Sequence, residues 1–335
     1  MLFRTKFRSL GIFLALAIAV GLSSNLAVAQ YKVTNLVSNQ KGKAPHQDKS
    51  LVNAWGISFF PNNPIWISDA GSGKSTFYSN KGVKAGEISI PPASGNGLGS
   101  PTGQIANGTS DFKIGGTAPF FIFDTLDGTI SGWTGASGTV IAVTAPAGTT
   151  YTGLATGSSK GANFLFAADV AHNKVDIYDA TYKLVGSFTD TKLTGFGPYG
   201  IQNIGGKLYV AFTNGSFTAG VVDVFNTQGK LIKTFTKDKH LKAPWGLALA
   251  PKNFGPASNA LLVGNLADGR INAFNATTGK FMSQLKNTSN KVISLDGLWG
   301  LAFGGGGMSG KTNQLFFTAG PTEYSNGLFG MISFQ

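Results

Sequence analysis

The sequence predicts an all-β protein, a six-bladed β-propeller whose blades each contain four antiparallel strands. Short runs of β-branched and aromatic residues alternate with Gly, Asn, Asp and Ser, a pattern typical of strands joined by turns. One phrase also recurs in near-copies, as NAWGISF, APWGLAL and DGLWGLAF. Aligning the chain on the glycine of this phrase gives six glycines spaced 46 to 54 residues apart, a period typical of propeller blades. They are Gly56, Gly103, Gly153, Gly200, Gly246 and Gly300.

Residues 1–29 have the pattern of a signal peptide. Three basic residues precede an apolar run, and small residues at Ala27 and Ala29 favour cleavage before Gln30. The run is short for a membrane span. We therefore expect a single exported domain, residues 30–335, which is monomeric and lies in the periplasm or the extracellular medium. No membrane span is expected once the signal peptide is cleaved.

The composition excludes several kinds of chemistry. The chain contains no cysteine, which rules out disulfides, thiol catalysis and cysteine-ligated metals. Its formal net charge of +12 falls to +9 without the three basic residues of the predicted signal peptide. This charge favours an anionic partner, such as an envelope or extracellular polysaccharide, or a protein. No nucleic-acid-binding motif occurs, so nucleic acid is not an expected partner.

The repeated phrase fits the innermost strand of a blade. Neighbouring sheets crowd together near the axis of a propeller, and glycine lets two backbones approach where a side chain would not fit. The adjacent Trp55, Trp245 and Trp299 supply large apolar surfaces for packing between blades. This interpretation of the repeat requires no ligand.

A second strand follows in each unit, and in three units it ends in an aspartate: Asp69, Asp124 and Asp169. The fixed position favours a structural role, in which each carboxylate accepts backbone N–H bonds from the connection that follows. The alternative is a ring of carboxylates with a chemical role.

The sixth unit contains only three strands before the chain ends. The segment YKVTNLVSN, residues 31–39, is in turn a strand with no blade of its own. Pairing this segment with the sixth unit would complete the last blade and remove an open sheet edge. The sequence therefore predicts that the N-terminal strand closes the ring.

The strand pattern resembles NHL-type repeats, in which a Pro/Trp-Gly-Ile/Leu strand precedes an apolar strand ending in Asp. Through segments such as FGPYGIQNIGGKLYV and LLVGNLADGRINAF, residues 31–335 are more closely similar to a bacterial family of exported propellers of unknown function. Some members of that family end in a PEP-CTERM sorting tail. No such tail follows FGMISFQ, so membrane sorting of that kind is not expected. The resemblance implies a fold and export, and it implies no reaction.

One stretch looks like a phosphate-binding loop. DAGSGKST, residues 69–76, lacks the first glycine of that motif because Ser68 occupies its position. The following STFYSN is typical of a strand, whereas a phosphate-binding loop leads into a helix. We interpret the stretch as a hairpin connection.

Candidate binding residues fall on one face of the predicted propeller. In a four-stranded antiparallel blade, the connection between the second and third strands lies on the same face as the links between blades. These loops carry His46, Asp48, Asn53, His172, His240, Asp296 and Glu323. The three histidines come from different blades. A convergent site for a divalent cation such as Ca²⁺ or Zn²⁺ is therefore an alternative to histidines that face solvent or brace loops.

Two functions are weighed from the sequence. No Gly-x-Ser-x-Gly motif occurs, no catalytic residue is assigned and no cofactor is expected. This favours a non-catalytic propeller that binds a protein, glycan or small molecule on the face of the inter-blade loops. The alternative is a metal-assisted enzyme, resembling the six-bladed lactonase-like hydrolases or a lyase, with a cation on the axis.

Overall fold

The computed structural model describes residues 30–335, so the predicted signal peptide lies outside the described residues. The described chain consists of β-strands, connecting loops and one short 3₁₀ helix at Gly255–Ala257. The strands are, in chain order, β1 (Tyr31–Ser38), β2 (His46–Gln47), β3 (Ala54–Ser58), β4 (Ile65–Asp69), β5 (Lys74–Tyr78), β6 (Lys84–Ser89), β7 (Pro101–Ala106), β8 (Phe121–Thr125), β9 (Thr129–Trp133), β10 (Val140–Thr144), β11 (Tyr151–Ser159), β12 (Ala162–Asp169), β13 (Lys174–Asp179), β14 (Leu184–Phe188), β15 (Phe196–Ile204), β16 (Lys207–Asn214), β17 (Gly220–Phe225), β18 (Leu231–Lys237), β19 (Pro244–Leu249), β20 (Ala260–Asn265), β21 (Ile271–Asn275), β22 (Phe281–Gln284), β23 (Leu298–Phe303), β24 (Gln314–Ala319) and β25 (Leu328–Phe334).

Six sheets surround one axis, each with four antiparallel strands, which confirms the predicted six-bladed propeller. Blades one to five are β3–β6, β7–β10, β11–β14, β15–β18 and β19–β22, each with its first strand innermost. The sixth blade runs β2-β1-β25-β24-β23 from the rim to the axis. The inner strands contact one another in chain order, and β23 contacts β3 to complete the ring.

The N-terminal strand closes the ring, as the sequence predicts. β1 pairs antiparallel with β25 along its whole length. The buried Tyr31 hydroxyl donates a hydrogen bond to the carbonyl of Phe254 at 2.8 Å and accepts one from the N–H of Ala257 at 3.0 Å. β1 therefore completes blade six and also ties it to a loop of blade five. The two-residue strand β2, which the sequence analysis did not predict, adds in parallel to the outer edge of β1.

The hydrophobic core lies between adjacent blades. Successive side chains of a strand point to opposite faces of the sheet, so each blade can pack against both of its neighbours. One cluster joins Leu262 and Ile271 of blade five to Leu298 and Phe317 of blade six, and all four side chains are buried. Burial of each such side chain contributes roughly 1.5–3 kcal/mol, so packing between blades stabilises the ring.

The six repeated glycines lie where neighbouring inner strands approach most closely. A Cβ atom added at any of them would lie 3.2 Å or less from the backbone of the next inner strand. At Gly200 it would meet the carbonyl of Trp245, and at Gly300 it would lie 2.7 Å from the carbonyl of Trp55, across the closure of the ring. The absence of a side chain at these positions sets the distance between blades.

Two further sequence interpretations concern single segments. Within residues 69–76, residues 70–73 form the tight connection of the β4–β5 hairpin, as expected, and the strand β5 follows in place of a phosphate-binding helix. Within residues 30–335, no helix combines the length and the apolar character needed to cross a bilayer.

We predict that Gly200→Ala destabilises the protein by roughly 3 kcal/mol, because the new methyl group forces the inner strands of blades four and five apart. Gly108→Ala is the matched control, since a Cβ at Gly108 meets nothing within 4 Å. The control should change the free energy of unfolding by less than about 0.5 kcal/mol. Urea denaturation measures both, and equal values for the two variants would contradict this account of the repeat.

Candidate functional site

The two ends of the propeller carry different surfaces. We call the end where the chain passes between blades the link face. It carries the residues just before the six glycines, which are Trp55, Thr102, Thr152, Tyr199, Trp245 and Trp299. We call the opposite end, at the carboxyl ends of the inner strands, the cavity face. The binding residues predicted from the sequence belong to loops of the link face, except His46, which lies in the strand β2.

Four aromatic side chains fill the axis at the link face, and we call them the axial aromatic cluster: Trp55, Tyr199, Trp245 and Trp299. Trp55 and Trp299 stack with ring centroids 3.5 Å apart. Trp245 meets the same two rings edge-on, at 6.0 and 5.9 Å. Trp55 of blade one and Tyr199 of blade four, on opposite sides of the axis, are 6.3 Å apart. Stacked and edge-on arrangements are both favourable between aromatic rings.

Hydrogen bonds fix two of these rings. Trp299 Nε1 donates to Oδ1 of Asn53 at 3.0 Å, and Trp245 Nε1 donates to the carbonyl of Thr152 at 2.8 Å. Asn53 is one of the binding residues predicted from the sequence, and here its side-chain oxygen holds the aromatic cluster in place. The link-face end of the axis is therefore occupied by the protein's own side chains.

The structure does not bring the three histidines together. His46 lies in β2, at the outer edge of blade six. Nδ1 of His172 lies 2.6 Å from Oδ2 of Asp169, and Nδ1 of His240 lies 2.6 Å from Oδ1 of Asp238. Across residues 30–335, no group of three His, Cys, Asp or Glu side chains is arranged to hold a metal ion. A cation site therefore stays a prediction.

Asp48 braces the first blade. Its Oδ2 accepts a hydrogen bond from the hydroxyl of Tyr78 at 2.7 Å and lies 2.7 Å from Nζ of Lys84. Its Oδ1 accepts the N–H of Ser50 at 2.9 Å. These contacts tie the link before β3 to the outer strands of blade one.

Asp296 and Glu323 lie close together in blade six. Asp296 Oδ2 accepts the N–H of Thr322 at 2.9 Å, where a short turn begins. Thr322, Glu323 and Tyr324 have φ values of 59°, 52° and 67°, a conformation uncommon for residues other than glycine. Glu323 is exposed at the centre of this turn, and the ring of Tyr324 lies 5.6 Å from that of Trp299. A role of these residues in binding stays a prediction.

Asp169 and Asp69 are buried at the ends of their strands, with different partners. Asp169 accepts the N–H of His172 at 3.3 Å, in the connection that follows, as the sequence analysis expects. Asp69 instead accepts the N–H and the hydroxyl of Thr76, at 3.0 and 2.8 Å. Its carboxyl therefore joins two neighbouring strands. Burial raises the pKa of Asp69 well above its usual range.

Asp124 differs further from the expectation, because it lies one residue before the end of β8 and bonds the inner strand. Its Oδ1 accepts the N–H of Gly103 at 2.5 Å and the hydroxyl of Thr102 at 2.8 Å. The carboxyl is completely buried, and its Oδ2 has no hydrogen-bond partner within the described chain. Burial raises its pKa to about 7, since desolvation disfavours the charged form more than the hydrogen bonds around the carboxyl favour it.

An open cavity lies at the opposite end of the axis, on the cavity face. It has a volume of about 490 Å³. Each of the six inner strands contributes three consecutive residues to its lining, which lie after its glycine in the sequence. These are residues 57–59, 104–106, 154–156, 202–204, 247–249 and 301–303. A channel of only about 30 Å³ continues from it along the axis at the level of the glycines. The cavity is therefore closed towards the link face.

Three amides contribute to the lining, and two of them are used within the protein. Gln104 Nε2 donates to two backbone carbonyls of blade one, at 3.0 and 2.5 Å. Asn203 Nδ2 donates to the carbonyl of Thr156 at 2.7 Å. Gln202, in contrast, is exposed and lines both the cavity and the channel. It is the amide best placed to meet a ligand.

The sequence analysis did not identify this cavity, although a signal was present. Three inner strands continue after their glycine with the apolar pair Leu-Ala and blade one reads GIS, whereas blade two reads GQI and blade four reads GIQ. These two departures place Gln104 and Gln202 in the lining. Their meaning depends on which end of the axis is open, and the repeat pattern does not contain that information.

Comparisons with known proteins identify relatives of uncharacterized function. The chain is 31% identical over 332 residues to an uncharacterized protein of Acanthamoeba polyphaga mimivirus, with 91% of this chain and 81% of that protein covered. A second uncharacterized protein of the same virus is 30% identical over 341 residues, with 91% and 86% covered. No family model matches the chain. These relatives are viral, and the resemblance to a bacterial exported family stays a prediction.

Solved structures with a similar fold include two lyases. A streptogramin B lyase structure matches 92% of this chain and 98% of its own, with a TM-score of 0.57 and 13% identity. The virginiamycin B lyase of Staphylococcus aureus matches 91% and 99%, with a TM-score of 0.54 and 14% identity. At this level of identity the similarity establishes the propeller fold alone.

We predict that Asp124 makes the protein less stable as the pH rises. Its pKa is about 7 in the folded state against an ordinary value of 3.8, so the folded state binds the proton more tightly. This stabilisation is complete below about pH 4 and is lost as the pH rises through about 7. Asp124→Asn keeps an acceptor for Gly103 and cannot ionise. Between pH 5 and pH 8, the free energy of unfolding of this variant should fall by about 2–3 kcal/mol less than that of the wild type.

Urea denaturation at the two pH values tests this prediction. The control is Asp179→Asn, because Asp179 ends β13 beside a surface turn and its pKa is lowered, which confines its titration to more acidic pH. The control should keep the wild-type pH dependence. A pH dependence unchanged by Asp124→Asn would contradict a raised pKa.

Proposed function

Because this chain belongs to the same protein family as the two uncharacterized mimivirus proteins, and that membership assigns no activity, we propose its function from the geometry. It is a non-catalytic propeller that binds a small neutral ligand in the axial cavity. The observation that carries this proposal is the cavity itself, whose volume of about 490 Å³ lies in the range typical of small-molecule sites.

The cavity has a single entrance. The channel behind it holds only about 30 Å³, which is room for one or two water molecules, and the axial aromatic cluster fills the end beyond it. A ligand therefore enters and leaves through the cavity face. This geometry supports capture and release of a ligand more than passage along the axis.

The lining supports binding more than acid–base catalysis. The residues that line the cavity are apolar, amide or hydroxyl residues, and none of those in the described chain is ionisable. General acid–base catalysis requires a titratable group within hydrogen-bond reach of the reacting atoms. The lining offers shape and hydrogen bonds, which are what a binding site needs.

We further propose that the protein acts after export, with residues 1–29 as its signal peptide. The resemblance to the bacterial family of exported propellers supports this location. The net charge, +12 for the whole chain and +9 without the three basic residues of the predicted signal peptide, supports a second contact, with an anionic polysaccharide or a protein, outside the uncharged cavity. The half-exposed His172 of the link face is a candidate for that contact.

The alternative function is a metal-assisted hydrolase or lyase that uses the link face. One observation favours it: the exposed imidazole of His172 is oriented through Nδ1 by the buried carboxyl of Asp169. A carboxylate behind an imidazole is a common arrangement for a metal ligand or a general base. The solved structures that share this fold include a virginiamycin B lyase, which makes the comparison of activities worth testing.

For the binding function, we predict that Ala302→Phe weakens ligand binding at least tenfold. Ala302 lies in the cavity wall, and a phenyl ring there would fill part of the volume. The probe is a library of neutral sugars, polyols, primary amides and nucleosides, and a saturable rise in Tm of the wild type identifies a binder. The variant should bind that compound at least tenfold more weakly.

The control variant is Ala85→Phe, which adds the same ring at an exposed position of the outer strand β6. It should bind like the wild type. Equal affinity of the Ala302 and Ala85 variants would contradict the cavity as the binding site, and a wild type that binds no compound of the library would contradict the proposed function.

For the alternative, we predict that divalent cations do not stabilise the protein. A cation that binds only the folded state raises its stability and therefore its Tm. Without a cation site, addition of CaCl₂ or ZnCl₂ to chelator-treated protein should change Tm by less than about 1 °C. Lactone and aryl-ester substrates should not be turned over. A metal-dependent rise in Tm, or turnover lost in His172→Ala, would support the enzyme instead.

A further inference from the structure

The six inner strands define which parts of the cavity wall face each other. They contact in chain order around the axis, from β3 through β7, β11, β15 and β19 to β23, and then β3 again. In a ring of six, blade one therefore lies opposite blade four, and blade six lies opposite blade three. The lining residues of blade one therefore face those of blade four, and the lining residues of blade six face those of blade three.

This arrangement divides the cavity wall into an aromatic side and a polar side. Phe59 of blade one and Phe303 of blade six are neighbours in the ring, and they are the aromatic residues of the lining. Opposite them are Thr156 of blade three with Gln202 and Asn203 of blade four. The cavity is thus amphipathic across its width.

Both sides are held by the surrounding structure. Phe303 packs edge-on against Phe254, with ring centroids 4.9 Å apart. Asn203 is fixed by its hydrogen bonds to the carbonyl of Thr156 at 2.7 Å and from the N–H of Gly206 at 3.0 Å. Gln202 is next to this fixed amide and is exposed, so its donor and its acceptor can both meet a ligand.

The lining also selects against charge. A charged ligand loses its hydration when it enters a cavity, and this cost is offset only by an opposite charge or a full set of hydrogen bonds. The lining residues of the described chain carry no charge. A neutral ligand with one apolar side and one edge rich in hydroxyl or amide groups matches the wall on both sides.

We propose that the ligand is a neutral sugar, whose C–H face lies on Phe59 and Phe303 and whose hydroxyl groups bond Gln202. A pyranose ring combines these two surfaces in one small molecule. Gln202 is then the residue that determines specificity, because its side chain can accept from one hydroxyl and donate to another. This inference rests on the proposed binding function and adds the class of the ligand.

Calorimetric titration with defined sugars tests the inference. The probes are glucose, galactose, mannose, N-acetylglucosamine, cellobiose and chitobiose, with glucuronic acid and glucosamine as charged counterparts. We expect saturable binding of at least one neutral sugar and at least tenfold weaker binding of the charged compounds. Gln202→Leu, which keeps the size of the side chain and removes the amide, should weaken binding of the neutral sugar at least tenfold. The control is Gln47→Leu, at an exposed position of β2, and its affinity for the sugar should stay within twofold of the wild type.

The outcomes separate this inference from the function on which it rests. In one outcome, no sugar binds, but another neutral compound binds the wild type and does not bind Ala302→Phe. The sugar assignment is then overturned, and the cavity function stands. If a sugar binds Gln202→Leu as tightly as the wild type, the role of Gln202 is overturned. If no compound of either set binds, both the inference and the proposed function fail. Circular dichroism and Tm verify that each variant is folded.

Discussion

The close approach of backbones at the inner-strand glycines is the constraint on which the rest of the structure depends. Since each glycine lies against the next inner strand, the ring is narrow at their level and leaves a channel of only about 30 Å³. Before the glycine, large rings from four blades meet and fill the axis. After it, the ring widens and leaves about 490 Å³ open. One narrow ring therefore produces a closed end and an open end.

The number of blades and the closure of the ring could be predicted from the sequence, because both follow from its repeats. A period set by the glycines counts the units, and a missing strand in the sixth unit predicts the pairing of β1 with β25. The open end could not be predicted in the same way. Trp55 and Gln202 lie on opposite sides of their glycines, and only the three-dimensional contacts of the indole rings reveal that the side with the tryptophans is filled. The predicted site residues were therefore sought at the link face alone.

The aspartates illustrate a second limit of sequence reasoning. Asp124 accepts the N–H of Gly103, and in blade six the hydroxyl of Thr318 accepts the N–H of Gly300 at 2.8 Å. Both inner strands have an irregular register at this point, which frees the glycine N–H from the sheet. In blades two and six a side-chain oxygen at this position accepts that N–H, and a carboxylate is one way to supply the acceptor. A pattern of strand-end aspartates could not reveal this, because Asp124 and Thr318 precede the last residue of their strands.

The propeller fold does not decide between binding and catalysis, since similar folds occur in lyases that share only 13–14% of their residues with this chain. The distribution of charge is more informative. The chain carries a net charge of +12, yet the lining of the axial cavity in the described chain is uncharged. Attraction of an anionic partner must therefore act on the outer surface, where lysines are exposed to solvent. The proposed neutral ligand in the cavity and the proposed anionic partner on the surface would use different physical forces, so the two would not compete for one site.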